Sequence, residues 1–208
     1  LPWEQAIDVS KFELDENGLL PNEVYDNKKN QKAVKAYQKA LYINPENIDY
    51  RYALSYLYFD KKDFLKAKKE IDAILDINPE YSQARVLRAL LMAQNKDFLG
   101  AQKILEENIQ KGYDDDFTKS SLSKIYTELN IFNKAEELVS QMIAQKPKNL
   151  NYLSDLAEIY IKEKNYDNAL ELAQKILEIN PNYILGDILG AKTAYLKGDY
   201  DIAKAYAQ

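Results

Sequence analysis

Residues 150–183 read LNYLSDLAEIYIKEKNYDNALELAQKILEINPNY, and the spacing of their apolar residues indicates two helices joined by a turn. These residues recur at steps of three and four, which places them on one side of a helix. They are Leu156, Tyr160, Ala169, Ala173, Ile176 and Leu177. Pro181 ends the second helical run, because proline forces the preceding residue out of helical geometry. The stretch therefore predicts a helical hairpin.

The same pattern recurs every 34 residues along the chain. Alanine occupies one position in all six copies, and proline occupies another in four of them. The alanines are Ala33, Ala67, Ala101, Ala135, Ala169 and Ala203, and the prolines are Pro45, Pro79, Pro147 and Pro181, with Tyr113 at the remaining site. A small residue is needed where the two helices of a hairpin approach closely. Because one hairpin cannot bury its own apolar side, the chain is predicted to be all-α, built from stacked hairpins.

Acidic and amide side chains at the turns are predicted to cap the helices that follow. Such side chains accept hydrogen bonds from the first backbone N–H groups of a helix. The predicted caps of the second helices are Asp63, Asp97, Asn165 and Asp199. The run Asp114-Asp115-Asp116 also precedes a helix, and capping is favoured there over a divalent cation site because no calcium-loop spacing follows.

Composition excludes several classes of function. The chain of 208 residues has 28 basic and 33 acidic residues, a net charge of -5, which disfavours binding to nucleic acid. It has no Cys and no His, so thiolate zinc sites, cysteine nucleophiles and histidine acid–base chemistry are excluded. There is no Gly-rich phosphate loop and no apolar run of membrane-spanning length. We therefore predict no enzyme activity, no cofactor, no metal and no direct membrane insertion.

With these positions assigned, the sequence resembles the tetratricopeptide repeat (TPR) family. The family pattern of Leu, a small residue, Tyr, Ala and Pro is matched best by Leu156-Ala157, Tyr160, Ala169 and Pro181. The resemblance implies a right-handed α-α superhelix, a solenoid of stacked TPR hairpins. The array is predicted over residues 21–208, in units of about 14–47, 48–81, 82–115, 116–149, 150–183 and 184–208. The first unit is degenerate, with Pro21 inside its first helix, and the last is truncated.

The two ends of the chain carry separate expectations. Residues 1–20 are predicted to be an N-terminal extension or cap anchored by Trp3, either as a short amphipathic helix or as a hairpin around Asn17-Gly18. The start at Leu1 without Met indicates a processed or excised N-terminus, and cytoplasm and periplasm both stay open as compartments. Apolar residues remain in register up to Gln208, so we expect the native protein to continue.

In the TPR family the first helices line a concave groove, and the resemblance implies the same here. Periodicity assigns inner-facing residues to each first helix. They are Asp49, Tyr52, Tyr56, Phe59, Asp60, Gln83, Val86, Leu90, Ala93, Gln94, Phe117, Ser120, Lys124, Thr127, Glu128, Asn151, Ser154, Glu158, Ile161, Lys162, Leu185, Ile188, Lys192 and Tyr195. The N-terminal half of this set is aromatic and apolar, which is typical of a binding surface. The predicted partner-binding residues are Tyr52, Tyr56, Phe59, Val86 and Leu90, with Phe117 and Lys124. Alternatively, some of them pack between first helices or against the N-terminal segment.

One known TPR role is excluded by the residues at the corresponding positions. The family's chaperone-tail clamp grips a terminal carboxylate with two Lys, two Asn and an Arg on consecutive inner faces. Of the corresponding residues here, only Lys124 fits.

The sequence thus favours a non-enzymatic scaffold that binds a partner peptide or helix in its groove. A first alternative is the TPR portion of a larger enzyme or of a secretion, motility or envelope assembly factor. A second is a self-assembling scaffold that associates through its C-terminal edge. The partner is expected to be a protein or peptide rather than nucleic acid.

Overall fold

The structure, a computed structural model, describes residues 27–206, with side chains from residue 31 onward. The predicted cap of residues 1–20 and the first part of the predicted 14–47 unit lie outside this range. Every regular element within it is a helix. The eleven helices are α1 (Asn27–Ile43), α2 (Ile48–Asp60), α3 (Phe64–Ile77), α4 (Ser82–Gln94), α5 (Phe98–Gln110), α6 (Asp116–Glu128), α7 (Phe132–Gln145), α8 (Leu150–Glu163), α9 (Tyr166–Ile179), α10 (Ile184–Lys197) and α11 (Tyr200–Tyr206).

The helix boundaries follow the 34-residue spacing of the sequence. The first helices α2, α4, α6, α8 and α10 begin 34 residues apart. Four of the second helices end two residues before a proline, at Ile43, Ile77, Gln145 and Ile179. The predicted all-α class and hairpin architecture are confirmed.

The turn inside each hairpin contains one residue in the left-handed backbone conformation. These residues also recur every 34 positions: Lys62, Lys96, Asn130, Lys164 and Gly198, with φ between 59° and 94°. A left-handed residue closes a helix by turning its backbone N–H groups back onto the last carbonyls. Only Gly198 adopts this conformation without the steric cost of a Cβ atom.

The capping prediction is confirmed at Asp63 and wrong at Asn165. The Asp63 carboxylate accepts the backbone N–H of Lys66 at 3.4 Å and the Lys66 ammonium at 2.6 Å. Asn165 has nearly the same backbone angles, but its side chain makes no capping hydrogen bond. The residue three positions later is Asn168 rather than a lysine, so the additional ion pair that Asp63 makes has no counterpart there.

The chain divides into two compact units, Leu1–Asp97 and Phe98–Gln208, called the N-terminal and C-terminal units below. The division falls between α4 and α5, within the predicted 82–115 repeat. In the N-terminal unit, consecutive helices pack on one another and the first helices α2 and α4 are also in contact. Leu54, Ala67, Ile71 and Ile74 are buried there. Arg51 joins α2 to Glu70 of α3 with an N–O distance of 2.6 Å.

The C-terminal unit has the same organisation over more helices. Consecutive helices from α5 to α11 pack on one another, and α8 contacts both neighbouring first helices, α6 and α10. Its core includes a cluster from α8, α9 and α10. The cluster consists of Leu150, Leu153, Ala157, Ile161, Ala169, Ala173, Ile176 and Leu189. Gly190 of α10 is small for a reason, since a Cβ there would clash with the ring of Tyr206 on α11. The glycine thus allows α11 to pack closely.

Candidate functional site

The first helices of the N-terminal unit carry the predicted aromatic surface. We define the aromatic face as Tyr52, Tyr56 and Phe59 of α2 together with Leu90 of α4. Tyr56 is the most exposed of the four at 45%, and the other three are half-buried. Because α2 and α4 pack side by side, Tyr56 and Leu90, each the ninth residue of its helix, lie on the same side of the unit.

Neighbouring rings hold part of this face in place. The ring of Tyr52 lies 5.8 Å from that of Tyr81, whose hydroxyl donates to Asp49 at 3.5 Å. Phe59 meets Phe64 edge to face, with 5.6 Å between the ring centroids. Aromatic pairs in such geometries add about 0.5–1.5 kcal/mol to the burial of their surfaces. These two rings are therefore fixed in position, and both side chains stay partly exposed.

Val86 does not share this accessibility. It is the fifth residue of α4, as Tyr52 is of α2, but its side chain is only 1% exposed. Periodicity assigned Val86 to the inner side of its helix, but periodicity alone does not determine burial, which depends on the neighbouring elements. Val86 therefore belongs to the packed interior, as the alternative interpretation of these residues anticipated.

At the ninth position of the first helices, the C-terminal unit carries charged residues where the N-terminal unit carries Tyr56 and Leu90. We define the charged ladder as the ion pairs that join consecutive first helices. They are Lys124–Asp155 at 3.2 Å, Lys162–Glu128 at 2.9 Å and Lys192–Glu158 at 3.1 Å. Ser120 adds a hydrogen bond, since its hydroxyl donates to Asp155 at 2.8 Å.

One of the two predicted site residues in this unit, Lys124, belongs to the charged ladder. Lys124 is exposed, but its ammonium is bound to Asp155, so a ligand must compete with that carboxylate. Phe117 is half-buried at the start of α6. The pairings themselves were missed from the sequence, although residues 124, 158 and 192 alternate in charge at 34-residue intervals.

The acidic run before α6 acts in capping and in joining repeats. Asp115 accepts the backbone N–H of Thr118 at 2.7 Å, which confirms the capping interpretation. Asp116 accepts the Lys146 ammonium at 2.8 Å and also the hydroxyl of Tyr152. The hydrogen bonds from Lys146 and then Tyr152 lower the pKa of Asp116 despite its partial burial. Within residues 27–206, His, Cys, Asp and Glu side chains form no group of three that could hold a metal ion.

The helices of the described range are also unsuited to crossing a bilayer. None of them combines the length and the apolar character that a membrane span needs.

Comparison with known proteins identifies similar repeats. A family model described as the N-terminal TPR repeats region of Psidin matches residues 51–184, and a tetratricopeptide repeat model matches residues 25–47. No curated protein sequence matches the chain.

Among solved structures, similar folds include a tetratricopeptide repeat protein from Parabacteroides merdae, with 17% identity and a TM-score of 0.74 over 88% of this chain and 72% of that one. PilW, a widely conserved type IV pilus biogenesis factor, has 16% identity and a TM-score of 0.75 over 88% of this chain and 86% of that one. A thermophilic TPR protein from Thermus thermophilus has 19% identity and a TM-score of 0.69 over 83% of this chain and 93% of that one. At these identities the likeness concerns the fold alone.

Proposed function

This chain belongs to the tetratricopeptide repeat family, shown by a family model that covers more than half of it, and from that premise we propose that its aromatic face binds a segment of a partner protein. The TPR fold supports a protein-interaction scaffold. The observation that carries the proposal is Tyr56, a large aromatic side chain left 45% exposed on a first helix. Tyrosine contributes a large contact area with few rotatable bonds, which makes it a favoured anchor at interfaces.

The chemistry of the face specifies the kind of segment. Tyr52, Tyr56, Phe59 and Leu90 offer apolar surface with tyrosine hydroxyls among it, and no ionisable carboxylate or ammonium belongs to the set. A helix or extended strand with apolar side chains at two or three positions fits such a surface. Phe117 and Lys124 belong to the C-terminal unit, and we leave them out of the proposed aromatic face; a ligand at Lys124 would have to compete with Asp155.

A capture experiment tests the proposal. The Tyr56→Glu, Leu90→Glu double variant places two carboxylates on the aromatic face, and we expect it to lose a partner that wild type captures from a lysate of the source organism. The matched control is Tyr42→Glu, Leu65→Glu, which changes two apolar residues of the same unit that are 87% and 85% exposed. Far-UV circular dichroism checks that both variants remain helical.

The captured protein then allows a quantitative measurement. With its binding segment as a peptide, we expect the double variant to bind at least about tenfold more weakly than wild type, since central interface residues each contribute about 2 kcal/mol or more. A photoreactive residue at position 56 should crosslink to that same segment. Equal affinity of wild type and a folded double variant would falsify the assignment to the aromatic face.

A second candidate is an assembly factor for a cell-surface structure. What supports it is the similarity in fold to PilW, a pilus biogenesis factor, over 86% of that protein. The same capture experiment separates the two candidates. Pilus or secretion components among the proteins lost from the double variant favour this role, whereas unrelated proteins argue against it.

A further inference from the structure

One side of α1 carries a run of lysines. The helix contains Lys28, Lys29, Lys32, Lys35 and Lys39 and neither Asp nor Glu. We define the basic face as Lys32, Lys35 and Lys39, whose side chains are all exposed. Successive helical residues are rotated by about 100°, so these three lie within about 60° of one another around the helix axis. Their side chains therefore leave α1 on the same side.

The opposite side of α1 packs within the N-terminal unit. Tyr37 is rotated by at least about 140° from each lysine of the basic face, and it is only 5% exposed. Its ring lies 6.2 Å from that of Tyr50 on α2. Because Tyr37 holds this side against α2, the lysines point away from the unit.

The exposure of the basic face does not depend on the place of α1 in the chain. The later second helices α3, α5, α7 and α9 have helices before and after them, and each is exposed at the repeat position of Lys35. The residues at this position are Lys69, Lys103, Glu137 and Glu171. Another hairpin stacked before α1 would therefore leave Lys35 accessible.

The later second helices do not concentrate positive charge in this way. On α7 the three positions together hold one lysine and one glutamate, and the same is true of α9. These residues are Lys134, Glu137, Glu171 and Lys175. On α3, Lys66 has the repeat position of Lys32, but the Asp63 carboxylate lies 2.6 Å from its ammonium.

The charge of the basic face is not neutralised by ion pairs within the structure. None of the ion pairs among the residues that the structure describes involves Lys32, Lys35 or Lys39. The chain as a whole has a net charge of -5, so this positive surface is local. A local charge of one sign orients a protein towards a surface of the opposite sign.

We propose that the basic face binds the surface of a membrane that contains anionic phospholipids. Such a surface has a negative potential that attracts lysines within about 10 Å, the Debye length at 0.1 M salt. Residues 32 to 39 extend for about 10 Å along α1, so the three ammonium groups reach neighbouring headgroups when the helix lies parallel to the membrane plane. The contact is peripheral and needs no helix inside the bilayer. This proposal is independent of the aromatic face, which lies on α2 and α4.

The residue types on α1 favour a lipid surface over an acidic protein segment. The helix contains no arginine, the residue whose guanidinium matches a carboxylate with two parallel hydrogen bonds. Lysine is depleted at protein–protein interfaces. Its flexible, compact charge suits a surface whose negative charges are spread over many lipid molecules.

Tyr42 is a second reason to favour lipid. It lies in the last turn of α1, within about 80° of each lysine of the basic face, and it is 87% exposed. Tyrosine is enriched at membrane–water interfaces, where its ring and its hydroxyl each find a suitable environment. The later hairpins have polar or small residues at the same repeat position. They are Asp76, Gln110, Ala144 and Glu178.

Sedimentation with vesicles tests the proposal. Wild type should bind vesicles made of equal parts of phosphatidylserine and phosphatidylcholine, should not bind phosphatidylcholine alone, and should be released as salt is added. We expect Lys32→Glu, Lys35→Glu, Lys39→Glu together to reduce the partition coefficient at least about tenfold. Glutamate forms helices about as well as lysine, so far-UV circular dichroism should show an unchanged helix content.

The matched control changes three exposed lysines of the C-terminal unit, Lys103→Glu, Lys148→Glu and Lys175→Glu. Its net charge equals that of the first triple variant, and we expect it to bind the mixed vesicles like wild type. Three results would each overturn the proposal. They are no binding of wild type to the mixed vesicles, equal binding of wild type and the α1 triple variant, and an equal loss of binding in the two triple variants.

A labelling experiment distinguishes lipid from other polyanions. The chain has no cysteine, so Ala36→Cys, at an exposed position beside Lys32, can carry a single environment-sensitive dye. Its emission should shift to shorter wavelengths on the mixed vesicles, whereas a dye on Leu99→Cys, at a 70% exposed position of α5, should not respond. Polyglutamate and duplex DNA should bind more weakly than the vesicles at equal charge concentration. Tighter binding to either polymer, or no shift at position 36, overturns the assignment to a lipid surface.

Discussion

The two units carry different chemistry at the same place on the same kind of helix. The ninth residue of each first helix is Tyr56 or Leu90 in the N-terminal unit and Lys124, Glu158 or Lys192 in the C-terminal unit. The apolar pair contributes to a face with an exposed tyrosine, whereas the three charged residues bind carboxylates or ammonium groups of neighbouring helices.

This difference distinguishes the residues that determine the packing of the hairpin from those that determine the polarity of its surface. Ala67 in the N-terminal unit and Ala135 and Ala169 in the C-terminal unit are all fully buried. They occupy one repeat position and keep the two helices of a hairpin close. Since the ninth residue of a first helix does not serve that purpose, its chemistry can vary while the hairpin is retained. Recognition by one unit can thus differ from that by the other.

The largest expected effect comes from enlarging the constant alanine. Ala67→Leu and Ala169→Leu each insert three carbon atoms into a fully buried site, and overpacking of this kind costs about 1–3 kcal/mol. We expect similar losses in the free energy of unfolding in both units, measured by urea denaturation. Ala203→Leu is the matched control, because Ala203 has the same repeat position but is half-buried, and its loss should be smaller. A large loss in one unit and none in the other contradicts the idea of a common core.

Helix positions were predictable because few local signals determine them. The alanine, the proline and the steps of three and four define each hairpin, and the first helices begin where these signals place them. The hydrogen-bond partners of individual side chains are harder to predict from the sequence. Asp63 and Asn165 occupy equivalent turns with nearly the same backbone angles, but of the two only Asp63 caps its helix, and the residue types alone do not predict that difference.

The sequence predicts which helix positions the candidate site residues occupy, but it does not predict which of their side chains are exposed. The periodicity selects Tyr52 and Val86 equally, because each is the fifth residue of its helix. Whether a side chain at that position is half-buried or fully buried depends on residues brought from elsewhere in the fold. The ion pairs of the charged ladder, in contrast, could have been predicted. Lys124, Glu158 and Lys192 alternate in charge at 34-residue intervals, which places opposite charges on neighbouring first helices.

A smaller effect should appear at alkaline pH. In the C-terminal unit, the hydroxyl of Tyr160 donates to the Glu136 carboxylate at 2.7 Å, whereas Tyr58 at the same repeat position accepts a hydrogen bond from Gln38 at 2.9 Å. Burial, followed by the hydrogen bond to Glu136 and its charge, raises the pKa of Tyr160 from 10.0 to about 12. The neutral phenol is therefore favoured by folding. Its contribution is complete below pH 10 and is lost as the pH rises towards 12.

The variant Tyr160→Phe tests this link. It removes one hydrogen bond, so we expect it to be less stable than wild type by about 1 kcal/mol at neutral pH. Between pH 10 and 12 its free energy of unfolding should fall less steeply, because one titrating group is gone. Burial also raises the pKa of Tyr37 to about 12, so the fall should be reduced and not abolished. Urea denaturation at a series of pH values measures both quantities, and parallel pH profiles for the two proteins would refute the assignment.

The smallest expected effect concerns the charged ladder. The Lys192–Glu158 pair is nearly half exposed on both sides, and ion pairs of that kind contribute about 0.2–1 kcal/mol at low salt. A double-mutant cycle with Glu158→Gln and Lys192→Met should give a coupling energy in this range, and added salt should reduce it as the charges are screened. Tyr56→Gln on the aromatic face provides the contrast, since its effect on stability should not vary with salt. A coupling energy that persists at high salt would mean that packing, and not charge, holds the pair together. The aromatic face and the charged ladder would then differ less in their physical basis than their residue types indicate.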